Sequence, residues 1–190
     1  MSANLILASS SPRRQEILKQ VNIDFQIRKP NMDESKIIEK DPWEKAEKLA
    51  DAKGEAVPIY KDDEIVLAAD TIVSLNGQIF EKPQNKQEAA TMITTLSGGT
   101  HDVFTGVMIR SSEKKIVFTE RTQVEFWPLP EEMIERYLET DEPYDKAGAY
   151  GIQSIGAVFV KQIIGDYYNV VGLPISRVIQ ELHRFPSFSY

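Results

Sequence analysis

The sequence has no cysteine among its 190 residues. Disulfide scaffolds, zinc sites with thiolate ligands and enzymes with a cysteine nucleophile are therefore excluded. There are two histidines, His101 and His183, which are too few for a multi-histidine metal site, and we interpret both as structural. No apolar run approaches the roughly 20 residues that a membrane-spanning helix needs, and the first residues lack the basic start of a signal peptide. We therefore expect a cytoplasmic protein.

Basic residues are in the minority. Asp and Glu number 29 against 22 Lys and Arg, which gives a net charge of −7. Nucleic acids and anionic membranes require a basic surface, so we expect neither as a partner. A small anionic ligand remains compatible with this charge, because a few clustered cations are enough to bind it. No linker rich in Gly, Ser or Pro divides the chain, and we expect a single domain over residues 1–190.

Apolar runs and alternations predict helices packed on a sheet. The helices begin after Ser11, Asp41 and Asn85, each a good N-cap residue, and two more cover 130–138 and 174–182. Hairpins mixed with helical crossovers indicate an α/β fold with a mixed rather than purely parallel sheet. Residues 185–190 are interpreted as a loosely held tail. The predicted strands are 5–8, 25–27, 65–69, 72–75, 78–80, 103–109, 116–126 and 157–160.

The run Ser9-Ser10-Ser11-Pro12-Arg13-Arg14 leads from a strand into the first turn of a helix. Unpaired N–H groups and the positive end of the helix dipole make such a turn an anion site. Two arginines there oppose the dipole, and a bound polyphosphate would reverse that effect. Alternatively, Arg13 and Arg14 are solvated or pair with Glu16 or Asp24.

Asp70-Thr71 directly follows the apolar run 65–69. We predict that the Asp70 carboxylate lies at the end of a buried strand, where partial desolvation makes it a better base. A tight hairpin at Asn76-Gly77 would return Lys82 close to it. The alternative is an Asx-type turn that only ends the strand.

Three further groups are weaker signals. Lys53 falls on the apolar stripe of the helix after Asp41, so its side chain either passes the edge of the core or points into a cleft. The small residues of 145–153 would let backbone approach a ligand, with Gln153 as a donor, although a simple loop is also possible. Asp33-Glu34 offers oxygen ligands of the kind that magnesium prefers, but acidic pairs on loops are usually solvated.

Together, these motifs carry a resemblance to a known family. They occur in the order Ser9-Ser10-Ser11-Pro12-Arg13-Arg14, Asp33-Glu34-Ser35, Ala69-Asp70-Thr71, Lys82-Pro83, Asp145-Lys146-Ala147-Gly148 and Gly172-Leu173-Pro174. In this order and spacing the sequence resembles the Maf family of nucleoside triphosphate pyrophosphatases over essentially its whole length. The resemblance implies a fold like that of the inosine triphosphate pyrophosphatases, with two lobes around a deep cleft. It also implies hydrolysis of a nucleoside triphosphate to the monophosphate and pyrophosphate with a divalent cation, Mg²⁺ or Mn²⁺.

The resemblance also assigns roles to residues. Asp70 matches the family's general base. Glu34 and Asp70 together match an acidic pair near the metal. The trio Arg13, Thr71 and Gln153 matches the branch that acts on dTTP and UTP, and on modified pyrimidine triphosphates, which implies a role in cleaning the nucleotide pool. The phosphate-binding positions are matched by Ser9, Arg14, Lys53 and Lys82, together with Arg13.

The chain departs from the family pattern at three places. The stretch Ala68-Ala69-Asp70-Thr71 stands in place of the usual Gly-Ala-Asp-Thr, so that Ala occurs where Gly is expected. Gly54 stands after Lys53 where Ala is usual, and Glu81 stands before Lys82-Pro83 where Gly is usual. Glu81 is expected to add negative charge near the triphosphate. None of the three removes a catalytic group.

The family's name refers to septum formation, which leaves a second interpretation open, a nucleotide-binding regulator of cell division with little catalysis. A metal-dependent phosphomonoesterase is a third, but the nucleophile patterns of phosphatases are missing. The family tends to form dimers, so a homodimer is a further expectation.

Overall fold

A computed structural model describes residues 4–186 and 188. Within these residues, seven strands form one mixed sheet in the order β2-β1-β3-β5-β6-β7, with β4 paired to β3 as well. β1 is parallel to both β2 and β3, and the other pairs are antiparallel. The strands are β1 (Asn4–Leu7), β2 (Gln26–Ile27), β3 (Glu64–Leu75), β4 (Gln78–Phe80), β5 (Thr100–Arg110), β6 (Lys115–Phe126) and β7 (Val160–Ile164).

Two of the predicted N-caps form as expected. The Asp41 side chain accepts a hydrogen bond from Glu44 N at 3.0 Å, and that of Asn85 accepts one from Glu88 N at 2.9 Å. Ser11 stands at the N-cap of the first helix, but its side chain makes no capping hydrogen bond. The helices are α1 (Pro12–Gln20), α2 (Pro42–Glu55), α3 (Lys86–Leu96), α4 (Glu131–Leu138), α5 (Tyr167–Val171) and α6 (Ile175–Leu182). None of the helices in the described part of the chain is long and apolar enough to cross a bilayer.

Helices cover both faces of the sheet, because side chains alternate across each strand. On one face, α2 packs through Ala46, Leu49 and Ala50. On the other face lie two apolar clusters. The first core joins β1 and the start of β3 to α1 and α6, and includes Leu5, Leu7, Ile17, Leu18, Ile65, Leu67, Val178, Leu182 and Phe185. The second core joins the end of β3 to α3 and α4, and includes Val73, Phe80, Ile93, Val124, Phe126, Tyr137 and Phe159.

The prediction of two strands separated at Asp70-Thr71 is wrong. β3 is one strand of 12 residues, and Asp70 lies in its interior. The register with β5 runs without a break from Val66 opposite Arg110 to Ser74 opposite Asp102. This long antiparallel partner keeps the chain extended through the polar pair, where an isolated Asp would favour a turn.

Two other predictions need correction. Residues 155–159 form a 3-10 helix and the strand begins only at Val160, because Ile155 N and Gly156 N donate to the Glu142 carboxylate at 3.0 Å each. The tail is not loose at Phe185, whose side chain is 1% exposed in the first core. The predicted tail also includes 187, 189 and 190, which lie outside the described residues. Helix α5 was not predicted.

The sheet has a gap beside β3. β1 pairs with β3 up to Leu67, and β4 pairs with it from Val73 onwards. Between these points, residues 68–72 have no strand partner on that edge among the described residues. Side chains of both faces therefore reach one opening, which positions the cleft described next.

Candidate active site in the cleft beside β3

A cleft of about 1010 Å³ opens at the gap beside β3. Side chains from α1, α2, β3, β4 and the segment around 145–154 line it. Ser9 is not among its lining residues and lies behind Arg14. The structure thus brings together in one cleft all but one of the predicted site residues, namely Arg13, Arg14, Glu34, Lys53, Asp70, Thr71, Lys82 and Gln153.

Asp70 meets Lys53 inside this cleft. Lys53 Nζ lies 2.5 Å from Asp70 Oδ1 and 3.1 Å from Glu34 Oε1. The side chains of Lys53 and Asp70 are only 12% and 14% exposed, whereas Glu34 is 58% exposed. Asp70 shares the face of β3 that packs on α2, and Lys53 reaches it from the last turn of that helix. Two carboxylates and one ammonium group are therefore gathered at a single point.

Arg14 is a buried cation at the wall of the cleft, 9% exposed. Its Nε donates to Gly172 O at 2.7 Å, Nη1 to Ser9 Oγ at 3.2 Å, and Nη2 to Thr71 Oγ1 at 3.1 Å. Burial lowers the pKa of the Arg14 guanidinium, and the charge of Asp70 opposes this effect. Three of its five N–H groups bind the protein itself, so this arginine is fixed in place before any ligand arrives.

Arg13 spans the cleft rather than pairing with Glu16 or Asp24. Its Nη1 donates to Asp145 Oδ2 at 2.9 Å, and Lys146 Nζ lies 2.6 Å from the other oxygen of the same carboxylate. Burial alone would raise the pKa of Asp145, but hydrogen bonds from Lys146 and Arg13 together lower it. The two walls of the cleft are thus joined by a charged bridge.

Thr71 stands on the opposite face of β3 from Asp70. Besides the bond from Arg14, its Oγ1 lies 2.9 Å from Thr105 Oγ1. Thr105 is fully buried on β5 and donates to Asn169 O at 2.9 Å. A continuous line of hydrogen bonds therefore runs from the cleft wall into the interior of the sheet.

Gln153 lies on a segment that Glu142 holds in place. The Glu142 carboxylate accepts hydrogen bonds from two backbone N–H groups of this segment and from Tyr137 Oη at 3.1 Å. Tyr137 Oη in turn accepts from Gly151 N at 3.2 Å. Burial alone would raise the pKa of Glu142, but hydrogen bonds, first among them that from Ser154, lower it. These hydrogen bonds fix the backbone on both sides of Gln153, whose own side chain is exposed.

Sequence reasoning missed Lys45, which lines the cleft one helical turn from Leu49 and two from Lys53. Its Nζ lies 2.6 Å from Glu81 Oε1. The spacing of four residues could have identified Lys45 once Lys53 was chosen. This ion pair also changes the expected effect of Glu81 on the cleft, because Lys45 balances the negative charge of Glu81 within the protein.

Packing against the sheet explains why residue 54 is a glycine. A Cβ at this position would lie 2.0 Å from Met108 Cε, so the glycine makes room for the methionine on β5. This departure from the family pattern therefore lies at the contact between α2 and the sheet, and Gly54 is not among the residues that line the cleft.

The structure also bears on the histidines. His101 is 2% exposed, and its Nε2 lies 2.8 Å from Tyr150 Oη. Burial lowers the pKa of His101 to about 4, although Asp102 acts in the opposite direction. Its ring packs edge-on against Phe126 and Tyr150, which agrees with a structural role. His183 lies at the exposed end of α6, with its ring near Phe188.

Comparisons with known proteins agree with this fold. A dTTP/UTP pyrophosphatase of Bacillus cereus (strain AH187) is 49% identical over 181 residues, which are 95% of each chain. One of Bacillus cytotoxicus is 48% identical over 182 residues, 96% of this chain and 95% of the relative. A solved HAM1 protein from Coxiella burnetii superposes with a TM-score of 0.50 at 13% identity, covering 94% of this chain and 99% of that one, which supports the expected fold class. The family model described as Maf-like protein matches residues 4–185, and the chain therefore belongs to the Maf family.

Proposed function

We propose that the chain hydrolyses dTTP and UTP to the monophosphate and pyrophosphate, and acts on modified pyrimidine triphosphates as well. Relatives named dTTP/UTP pyrophosphatase that are about 49% identical over 95% of the chain support this activity. The structural observation that carries it is the contact of Asp70 with Lys53 in a cleft that five more basic side chains line as well. Removal of such triphosphates would keep the nucleotide pool clean.

In this proposal Asp70 orients the attacking water and accepts its proton. Attack of water on the α-phosphorus develops charge on the phosphate oxygens and on the leaving pyrophosphate, and fixed cations stabilise that charge. Lys53 lies beside Asp70, while Arg13, Arg14 and Lys82 line the same cleft. Arg14 is held rigidly, so it needs little reorganisation as the charge develops. Ser9 would act through Arg14, since it contacts that guanidinium.

The donor set of the cleft fits a divalent cation such as Mg²⁺ or Mn²⁺. The described residues contain no group of three or more His, Asp or Glu side chains placed to hold a metal. Magnesium, however, is commonly held by one or two carboxylates together with substrate phosphates. Glu34 and Asp70 supply such a pair, gathered on Lys53 Nζ. The bound cation would neutralise phosphate charge and polarise the phosphorus, while Lys53 would turn to the phosphate oxygens.

In this proposal the nucleobase is selected by three residues, Arg13, Thr71 and Gln153. They lie on different elements but line the same cleft. Thr71 and Gln153 offer neutral hydrogen-bonding groups of the kind that read a base edge.

A homodimer and a cytoplasmic location stay predictions from the sequence.

Product analysis tests the proposal. The purified protein is incubated with Mg²⁺ or Mn²⁺ and a panel of nucleoside triphosphates, and the products are separated by ion-exchange chromatography. We expect UMP and dTMP with one equivalent of pyrophosphate. Release of orthophosphate would contradict a pyrophosphatase. Tight nucleotide binding without turnover would favour the regulator of cell division instead.

A further inference from the structure

The hydrogen-bond line behind Thr71 determines which way its hydroxyl proton points. Thr105 has one hydroxyl proton, and it is donated to Asn169 O at 2.9 Å. Thr105 Oγ1 must therefore be the acceptor in its 2.9 Å contact with Thr71 Oγ1, because two oxygens this close need a proton between them. The proton of Thr71 is consequently committed to Thr105.

The acceptor capacity of Thr71 is also partly used. Arg14 Nη2 donates to Thr71 Oγ1 at 3.1 Å, and a guanidinium can only donate. A hydroxyl oxygen has two lone pairs, so one remains. Because Thr71 lines the cleft, it can offer a ligand this one lone pair and no proton.

We propose that Thr105 is a positioning residue that makes Thr71 a pure hydrogen-bond acceptor, and that Thr71 reads the ring N3–H of uracil or thymine. The inference rests on the proposed function for the identity of the nucleotide. Ionised phosphate oxygens have no proton to give to such an acceptor, so Thr71 faces the base and not the triphosphate. Cytosine has a lone pair at N3 instead of a proton. At that position two acceptors, cytosine N3 and Thr71 Oγ1, would face each other with no proton between them.

The contrast between uracil and cytosine tests this inference. Equilibrium affinities are measured by calorimetry with Mg²⁺ and the UTP and CTP analogues that carry an imido bridge between the α and β phosphorus atoms, so that turnover does not interfere. In Thr105→Val the Thr71 proton is released and can turn to cytosine N3. We expect the preference for the UTP analogue over the CTP analogue to fall about 3- to 10-fold, as for one neutral hydrogen bond.

Two variants serve as controls. Thr105→Ser keeps the hydroxyl and should retain the wild-type preference. Thr119→Val makes the same change at another buried threonine, 1% exposed, whose Oγ1 has no hydrogen-bond partner among the described residues, and it should retain the preference too. If Thr105 only supported the fold, Thr105→Val would weaken both analogues equally and the ratio would not move.

A further probe does not depend on any variant. The wild type should bind the corresponding N3-methyl-UTP analogue at least about 10-fold more weakly than the UTP analogue, since its donor is gone. Equal affinity for these two ligands, or equal affinity of the wild type for the UTP and CTP analogues, would overturn the inference. So would an unchanged ratio in folded Thr105→Val.

The inference and the proposed function fail in different ways. A protein that releases pyrophosphate from UTP but keeps its base preference in Thr105→Val contradicts only the inference. A protein that shows the expected affinity ratios but releases no pyrophosphate contradicts only the catalytic proposal. Absence of binding to any of the analogues overturns both.

Discussion

Asp70 is the residue whose replacement tests the chemistry most directly. Its carboxylate contacts Lys53 and lies in the interior of β3. Asp70→Asn keeps the size of the side chain and removes the proton acceptor, so we expect turnover of UTP to fall about 10²- to 10⁴-fold. Initial rates of pyrophosphate release measure the effect, and circular dichroism checks the fold.

A matched control substitution tests whether the loss of turnover is specific to the cleft. Asp62→Asn removes the same charge from an exposed turn before β3, and its rate should equal that of the wild type. A rate for Asp70→Asn within a few-fold of the wild type would remove Asp70 from the role of base.

His101 should make the protein sensitive to mild acid. Burial lowers the pKa of His101 to about 4 in the folded protein, against an ordinary value of 6.5. As the pH falls from 6.5 to 4, the unfolded chain takes up a proton that the folded protein resists. The free energy of unfolding should therefore decrease, by an amount on the order of 3 kcal/mol from this group.

Urea titrations at several pH values measure this decrease. His101→Gln cannot titrate but can still reach Tyr150, so its stability should fall less steeply between pH 6.5 and 4 than that of the wild type. His183→Gln changes the exposed histidine and should keep the wild-type slope. The hypothesis fails if both variants follow the same curve as the wild type.

At the scale of single residues, the sequence predicted a position well where the residue type has few structural roles. A strand leading into a helix with two arginines in its first turn indicated an anion site, and Arg13 and Arg14 do line the cleft. Thr105 gave no signal, because a threonine at a buried strand position reads only as a good strand former. Its importance appears from the 2.9 Å contact with Thr71, which depends on the register between β3 and β5.

At the scale of elements, the contact between α2 and β5 leaves no room for a side chain at Gly106. A Cβ there would lie 2.1 Å from Ala46 O and 2.3 Å from Ala46 C. Gly106→Ala should therefore push α2 away from the sheet and lower the free energy of unfolding by about 1–3 kcal/mol. Because α2 carries Lys53, turnover should fall as well.

Gly99→Ala is the control for Gly106→Ala. The nearest atom to a Cβ at Gly99 is Leu96 O at 3.6 Å, an ordinary contact. We expect its urea midpoint to stay close to that of the wild type. A midpoint for Gly106→Ala equal to that of Gly99→Ala would mean that the helix adjusts at no cost.

Elements with local signals were predicted well. The caps at Asp41 and Asn85 and the turn at Asn76-Gly77, where φ is +52° and +82°, are fixed by neighbouring residues. The continuity of β3 and the late start of β7 were not, since each depends on a partner distant in sequence. For β3 the partner is β5, and for the segment before β7 it is the Glu142 carboxylate.

At the scale of the whole molecule, the cleft differs in charge from the rest of the protein. The chain carries a net charge of −7, whereas six basic and six acidic side chains line the cleft. A nucleoside triphosphate alone would bring excess negative charge into this balanced site. We therefore expect nucleotide to bind more tightly when a divalent cation accompanies it.

Thermal unfolding with the imido analogue of UTP tests this expectation. At a concentration 100 times its Kd, a ligand stabilises the folded state by about 2.7 kcal/mol, or roughly 5–10 °C in Tm for a chain of this size. The shift should be largest with Mg²⁺ and clearly smaller with EDTA. Equal shifts in the two conditions would contradict a role for the cation in binding.

The bridge across the cleft shows what sequence alone does not contain. Arg13 and Asp145 are separated by 132 residues, and nothing near either residue identifies the other as its partner. Their contact follows from the whole arrangement of α1, the sheet and the second core. Predicting it requires the tertiary structure, whereas the family resemblance indicated only that both belong to motifs.

The make-up of the two cores has a consequence for synthesis of the protein on the ribosome. The buried residues of the second core lie within 73–159, so this core can assemble while the chain is still growing. The first core needs Leu5 and Leu7 together with Val178, Leu182 and Phe185. Its earliest strand must therefore wait, with apolar side chains uncovered, until the residues up to Phe185 have emerged. During translation this half of the molecule is the one that chaperones have reason to protect.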